Sequence, residues 1–162
     1  MLIYTLGHST RSLEEFIDLV KYYKIELIID VRRFPSSKKF PHFNKESLEK
    51  ELEKNGIKYV HFPELGGFRK EGYKTFSQTE EFKKALGELL NIINNYTSVI
   101  LCAEKYFWRC HRKYIANELY KLGHKIIHIL DKDNIYEHKE SKDLTFKMNV
   151  KVYCDKLAHS FS

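Results

Sequence analysis

The sequence predicts an α/β fold, with a mostly parallel sheet of about five strands flanked by helices in βα alternation. Two observations carry that prediction. Short apolar runs alternate with amphipathic stretches through the first 130 residues. Two of the amphipathic stretches open on capping residues and two others close on glycines, as helices do.

Leu2-Ile3-Tyr4-Thr5-Leu6 reads as the first strand, closed by Gly7. Ser12 and Glu15 form a capping box, and Leu13, Phe16, Ile17 and Val20 follow at helical spacing, which predicts a helix over 12–24. Leu27 to Val31 is the second strand, and a helix over 45–55 ends at Gly56. Lys58 to Phe62 is the third. Ser77 and Glu80 are read as the cap of a helix striped by Phe82, Leu86, Leu89 and Ile93. Val99 to Cys102 is the fourth strand, 109–122 a helix stopped by Gly123, and Lys125 to Leu130 the fifth strand. Residues 131–143 are charged and read as a loop, and 144–157 as a strand or short helix.

A chain of 162 residues fits a single domain, 1–162, with the clear pattern over about 3–130 and an extension over 131–162. An apolar share of 43% with 14% aromatics excludes a disordered chain. No apolar stretch reaches the roughly 20 residues of a membrane span, and the start MLIYTLGHST lacks a signal-peptide layout, so a cytoplasmic location with no membrane partner is expected. Three cysteines, an odd number, argue against a disulfide framework. Abundant Lys, Glu, Tyr and Ile beside a single Gln follow a thermophile tendency. The 28 Lys and Arg against 22 Asp and Glu give +6, which favours an anionic ligand, a nucleotide or nucleic acid. Nothing in the sequence sets the oligomeric state.

Right-handed crossovers put the carboxyl ends of parallel strands on one edge, where open α/β sheets bind ligands. His8 follows the first strand, Arg32 and Arg33 the second, His61 and Glu64 the third, and Cys102 to Lys105 the fourth. The connections 32–44 and 62–77 exceed the usual roughly 4 to 6 residues, as functional loops do.

The stretch CAEKYFWRCHR, 102–112, is the densest in reactive groups. On a helix starting at 109, His111 shares the sheet-facing stripe of Ile115, Leu119 and Leu122, while Cys110 lies at its flank. A first-turn thiol beside Arg109 and Arg112 feels positive charge that favours thiolate, which makes Cys110 a candidate nucleophile. The plainer alternative is that Cys102 and Cys110 are packed, Glu104 pairs with Lys105 or Arg109, and His111 satisfies main-chain groups. Four reactive residue types beside His8 and His61 favour a catalytic or ligand site. Cys102, Cys110 and His111 show no CxxC or HxxxH spacing, so neither metal nor other cofactor is expected.

The loop RRFPSSKKFPHF, 32–43, interleaves cations with Phe34, Phe40 and Phe43, and FRKEGYKTF, 68–76, repeats the mixture. Such surfaces neutralise phosphates and stack bases. The alternative is that the rings pin the loops while the cations stay solvated. Gly66-Gly67 permits a tight turn or close backbone approach.

The motifs LGHST at 6–10, DVRRFP at 30–35 with PHFN at 41–44, LGG at 65–67 and CAEK…WRCHR at 102–112 together resemble the domain of unknown function 488 family. The resemblance spans about 3–130 and implies a compact α/β domain with these motifs at one end. It marks His8, Ser9, Asp30, Arg32, Arg33, Gly66, Gly67, Cys102, Glu104, Cys110, His111 and Arg112, and names no substrate. The expectation is therefore an enzyme acting by hydrolysis or group transfer on a phosphate-bearing substrate. His8, Glu104, Cys110 and His111 would be catalytic. Ser9, Asp30, Arg32, Arg33, His61, Gly66, Gly67 and Arg112 would bind substrate. The alternative is a non-catalytic nucleic-acid-binding module built on the two basic aromatic loops.

Overall fold

A computed structural model of the chain describes residues 1–139. The elements run β1 Leu2–Gly7, α1 Leu13–Tyr22, β2 Leu27–Asp30, α2 Lys45–Lys54, β3 Lys58–His61, α3 Tyr73–Phe76, α4 Glu80–Ile93, β4 Ser98–Cys102, α5 Arg112–Lys121, β5 Lys125–Asp131 and β6 Asn134–Glu137. They form an α/β fold around one sheet of order β3-β2-β4-β1-β5-β6, in which the first five strands are parallel and β6 runs antiparallel to β5.

The sheet divides two cores. Strand residues Tyr4, Leu6, Ile28 and Leu101 pack on one face with Phe16, Ile17 and Val20 of α1 and Leu48 and Leu52 of α2. Ile3, Ile29 and Ile100 point the other way, onto Phe82, Leu86 and Leu89 of α4 and Ile115 and Leu119 of α5. From β1 the chain crosses by α1 on the first face toward β2, and from β4 by α5 on the second face toward β5. The neighbours β1 and β4 thus send their helices to opposite sides, which is the switch point where such sheets open a crevice beyond the strand ends.

The predicted elements are present with three corrections. Ser77 does not cap α4; its hydroxyl donates to the Lys74 carbonyl after α3, and Thr79 accepts the Phe82 N–H at 3.2 Å. The last helix begins at Arg112, because a 3-10 turn over Phe107–Arg109 and an extended Cys110 (φ −125°, ψ 153°) precede it. Burial of Phe107, whose ring stacks on His128 at 3.7 Å, holds that segment out of helical register. Residues 131–137, read as part of a loop, turn back as β6, since Ile135 and Tyr136 among the charges are buried against the sheet. The element expected at 144–157 lies outside the described residues. The box at Ser12 is as predicted, with Ser12 Oγ accepting from Glu15 N–H and Glu15 Oε1 from Ser12 N–H. No helix among the described residues is long and apolar enough to cross a membrane.

Candidate functional site: a thiol cluster at the sheet edge

The main chain beyond β1 and β4 is locked side by side: His8 N–H donates to the Cys102 carbonyl and Ser9 N–H to the Ala103 carbonyl, both at 2.9 Å. Val31 N–H joins them by donating to Leu101 at 3.1 Å. Gly7 is required here, because a Cβ would fall onto the Glu104 carbonyl. The sequence-predicted residues therefore reach one edge, but strand alternation deals their side chains to the two faces.

Cys102, Cys110 and His111 meet on the α4–α5 face. The two sulfurs lie 3.3 Å apart, with His111 Nδ1 3.7 Å from Cys110 and Nε2 3.8 Å from Cys102. Cys110 Sγ also receives the main-chain N–H and the Nε–H of Arg112, each at 3.5 Å. Both thiols are buried, and Arg112 is only 1% exposed. The hydrogen bond from Cys102, with help from His111 and the Arg112 charge, holds the Cys110 thiol well below the usual thiol range despite its burial. The same contact and burial push Cys102 up. One sulfur is thus a stabilised thiolate and its neighbour the thiol that solvates it.

Arg112 is aimed by its own contacts. Nη2 donates to the Glu104 and Lys105 carbonyls, and Nη1 to Thr5 Oγ1 at 3.2 Å. Behind Thr5 a buried relay runs to His128 Nδ1 (2.6 Å), from His128 Nε2 to His138 Nδ1 (2.8 Å), and from His138 Nε2 to Asn117 Oδ1 (2.6 Å). With the Asn117 carbonyl accepting, each imidazole donates from Nε2 and accepts at Nδ1, so the Thr5 hydroxyl donates to His128 and keeps its lone pairs for Arg112. Burial lowers both histidines, His138 to about 4, which keeps the relay neutral. Sequence reasoning missed Thr5, Asn117, His128 and His138. The lone imidazole within KIIHIL was the available signal.

Gly67 and Tyr73 roof the cluster. A Cβ on Gly67 would sit 3.2 Å from His111 Nδ1, and the Tyr73 ring lies 4.9 Å from the imidazole. Gly66 is wedged against Arg33 Cβ and the Val31 carbonyl, where a Cβ would come within 2.8 Å. The glycine pair therefore allows this loop to lie across the strand ends. Glu104 contributes its carbonyl; its exposed carboxylate accepts from the Tyr106 N–H at 3.4 Å.

The α1–α2 face holds the other predicted residues. Fully buried Asp30 accepts from Arg32 N–H, Nε (2.9 Å) and Nη2 (2.7 Å), and from the Tyr59 hydroxyl at 2.5 Å. Burial works against the Arg32 charge, but the Asp30 partner overcomes it and the guanidinium pKa rises. Burial and Asp30 push the Tyr59 hydroxyl up. His61 Nε2 meets the Arg32 carbonyl at 2.8 Å. His8 stacks on Phe43 at 4.3 Å, bonds the carbonyl of Ser9 (φ 55°), and is lowered by burial to about 4.

The two basic aromatic loops meet. Arg33 Nη1 donates to the Phe68 carbonyl at 2.7 Å, and the exposed rings of Phe34 and Phe68 lie 5.8 Å apart. Lys38 and Lys39 are exposed, the latter with its ammonium 5.6 Å from the centre of the Phe40 ring, whereas Phe40 and Phe43 pack into the core. Of the six Phe and Tyr rings in the two loops, Phe34 and Phe68 are exposed, whereas Phe40, Phe43, Tyr73 and Phe76 pin the loops to the body.

The fold also gathers what spacing along the chain did not suggest, since the donor atoms of Cys102, Cys110 and His111 all lie within 4.8 Å of one another. Two thiols and an imidazole suit a soft metal ion. The Arg112 guanidinium on Cys110 Sγ, however, already places a cation where such an ion would bind. This donor set suits an anionic sulfur better than a metal ion.

The fold and site define an α/β protein with a buried thiol pair at its switch point. Its family follows from comparison: the model described as Domain of unknown function DUF488 matches residues 12–119, and the chain belongs to that family. The matched span holds three of the four motifs and begins after LGHST. No curated protein and no solved structure matches the chain.

Proposed function

We propose that the protein is an enzyme of hydrolysis or group transfer that uses the Cys110 thiolate as its nucleophile on a phosphate-bearing substrate, a nucleotide or nucleic acid. The observation that carries this is the convergence on one sulfur of the Cys102 thiol, the His111 ring, and the main-chain and Nε donors of Arg112. Such an environment maintains a nucleophile at neutral pH. His111, which touches the sulfur, moves the proton in preference to His8 or Glu104, whose side chains are engaged elsewhere. Arg112 holds the sulfur, and Arg33 with Lys38 and Lys39 meets the substrate's anionic oxygens at the rim. Asp30 keeps Arg32 in place beneath them.

The test is a panel of nucleotides and short RNA and DNA, assayed for phosphate release or transfer, with Cys110→Ala in parallel. Turnover by the native chain that disappears in the variant supports the mechanism. Equal turnover in both, or none with any substrate, overturns it.

A second function is favoured by the exposed Phe34 and Phe68 rings beside Arg33, a surface suited to stacking bases. A non-catalytic binding module would lose affinity steeply with salt and bind equally well as Cys110→Ala.

A further inference from the structure

We infer that Cys102 and Cys110 form a two-electron redox site that reduces a small peroxide and closes to a reversible intramolecular disulfide. The inference shares Cys110 with the proposed mechanism but needs no phosphate-bearing substrate.

The geometry supplies each component. The sulfurs are in contact at 3.3 Å, although seven residues separate them along the chain, because one ends β4 and the other precedes α5. Cys110 Sγ receives two donors from Arg112, which stabilise negative charge there, while Cys102, in contact with the other sulfur and the His111 ring, has no such cation-borne donor among its described contacts. That asymmetry is what a peroxide-reactive thiol and its resolving thiol require. Each cysteine is only 7% exposed, burial that favours a reactant as small as hydrogen peroxide over a bulky disulfide.

The chemistry balances. The Cys110 thiolate attacks one peroxide oxygen, the O–O bond breaks, and the departing hydroxide takes from solvent the proton equivalent that Cys110 gave up on ionising, leaving as water. Cys110 is then a sulfenic acid. The Cys102 sulfur attacks the Cys110 sulfur, an S–S bond forms, the S–O bond breaks, and the leaving hydroxide carries off the Cys102 proton as a second water. Two electrons pass from the thiol pair to the peroxide, and a dithiol reductant restores both thiols by exchange. Arg112 stays beside the sulfur throughout, stabilising first the thiolate and then the leaving hydroxide.

The experiment treats the reduced full-length chain with equimolar hydrogen peroxide, blocks remaining thiols with iodoacetamide and maps the peptides by mass spectrometry. The expected product is a peptide pair linked through Cys102 and Cys110 and lighter by two hydrogens. Cys110 alkylation should slow about tenfold after oxidation and recover with dithiothreitol. In Cys102→Ser the reaction should stop at a sulfenic acid on Cys110 that dimedone traps. Failure of the native chain to form the linked pair, whether Cys110 is over-oxidised or unreacted, overturns the inference, and that result does not depend on the variant folding. Because no nucleotide is present, a negative result leaves the transfer mechanism standing, and absent transfer activity leaves the redox site standing.

Discussion

The two faces of the sheet edge handle buried charge in opposite ways. On the α1–α2 face, Arg32 is matched by Asp30 two residues before it, and Tyr59 takes a further Asp30 lone pair. On the α4–α5 face, Arg112 meets no carboxylate among the described residues; its hydrogen-bond partners there are a sulfur, a hydroxyl and two carbonyls. A paired guanidinium is a strut, whereas one balanced chiefly by a thiolate stabilises a nucleophile. Nearness to a strand end does not distinguish them; the partner does.

The largest expected effect comes from breaking the strut. Asp30→Ala leaves the Arg32 charge buried without its partner and should cost about 3–5 kcal/mol in urea unfolding. The thiolate absorbance of Cys110 as a function of pH should stay unchanged. Arg112→Met should do the converse, costing roughly 3 kcal/mol through the carbonyls and hydroxyl left unpaired, while moving the Cys110 titration upward. An unmoved titration in Arg112→Met would show that the guanidinium is a second strut.

Gly7→Ala attacks what the faces share. The new methyl meets the Glu104 main chain, which cannot swing aside as a side chain could, so a loss of about 2–3 kcal/mol is expected. It should spoil the Cys110 titration as well, since the carbonyl displaced is one that holds Arg112.

Acid should weaken both faces together. His8 and His138 each titrate near 4 in the folded chain, below the ordinary value of 6.5. Between those values the unfolded chain binds more protons. Their contribution is therefore fully present above pH 6.5 and lost as pH falls toward 4, by roughly 3 kcal/mol each. Unfolding by urea across that range should reveal the limb, and His8→Asn should remove one share while leaving that of His138.

The legibility of the sequence followed the same division between local and distant contacts. Strand runs, the Ser12 box and the glycine stops are local, and the parallel sheet they imply is present. The convergence of His8, Arg32 and Cys102 followed from handedness alone. What could not be read was which face each residue takes past its strand end, since Cys110 was placed on a helix that begins two residues later. Nor could linear spacing disclose the thiol contact, as residues 103–109 loop out between the cysteines and are anchored by Phe107 on His128. The Thr5–His128 bond spans 123 positions, and no periodicity encodes such a pair.

Thr5→Val is the finest test of the difference between the faces. The exchange keeps the shape of the side chain, removes the acceptor of Arg112 Nη1 and the donor to His128 Nδ1, and should cost only about 1–2 kcal/mol. If the relay from Asn117 to Thr5 merely fills the core, stability falls and the Cys110 titration does not move. If it aims the guanidinium, the freed Nη1 lets Arg112 turn, Nε leaves the sulfur, and the titration shifts upward in a variant whose cysteines, His111 and Arg112 are all intact. Thr5→Ser, which restores the hydroxyl, should return the titration to its native position. Recovery there would place the origin of the thiolate a full sheet strand away from the sulfur that carries it.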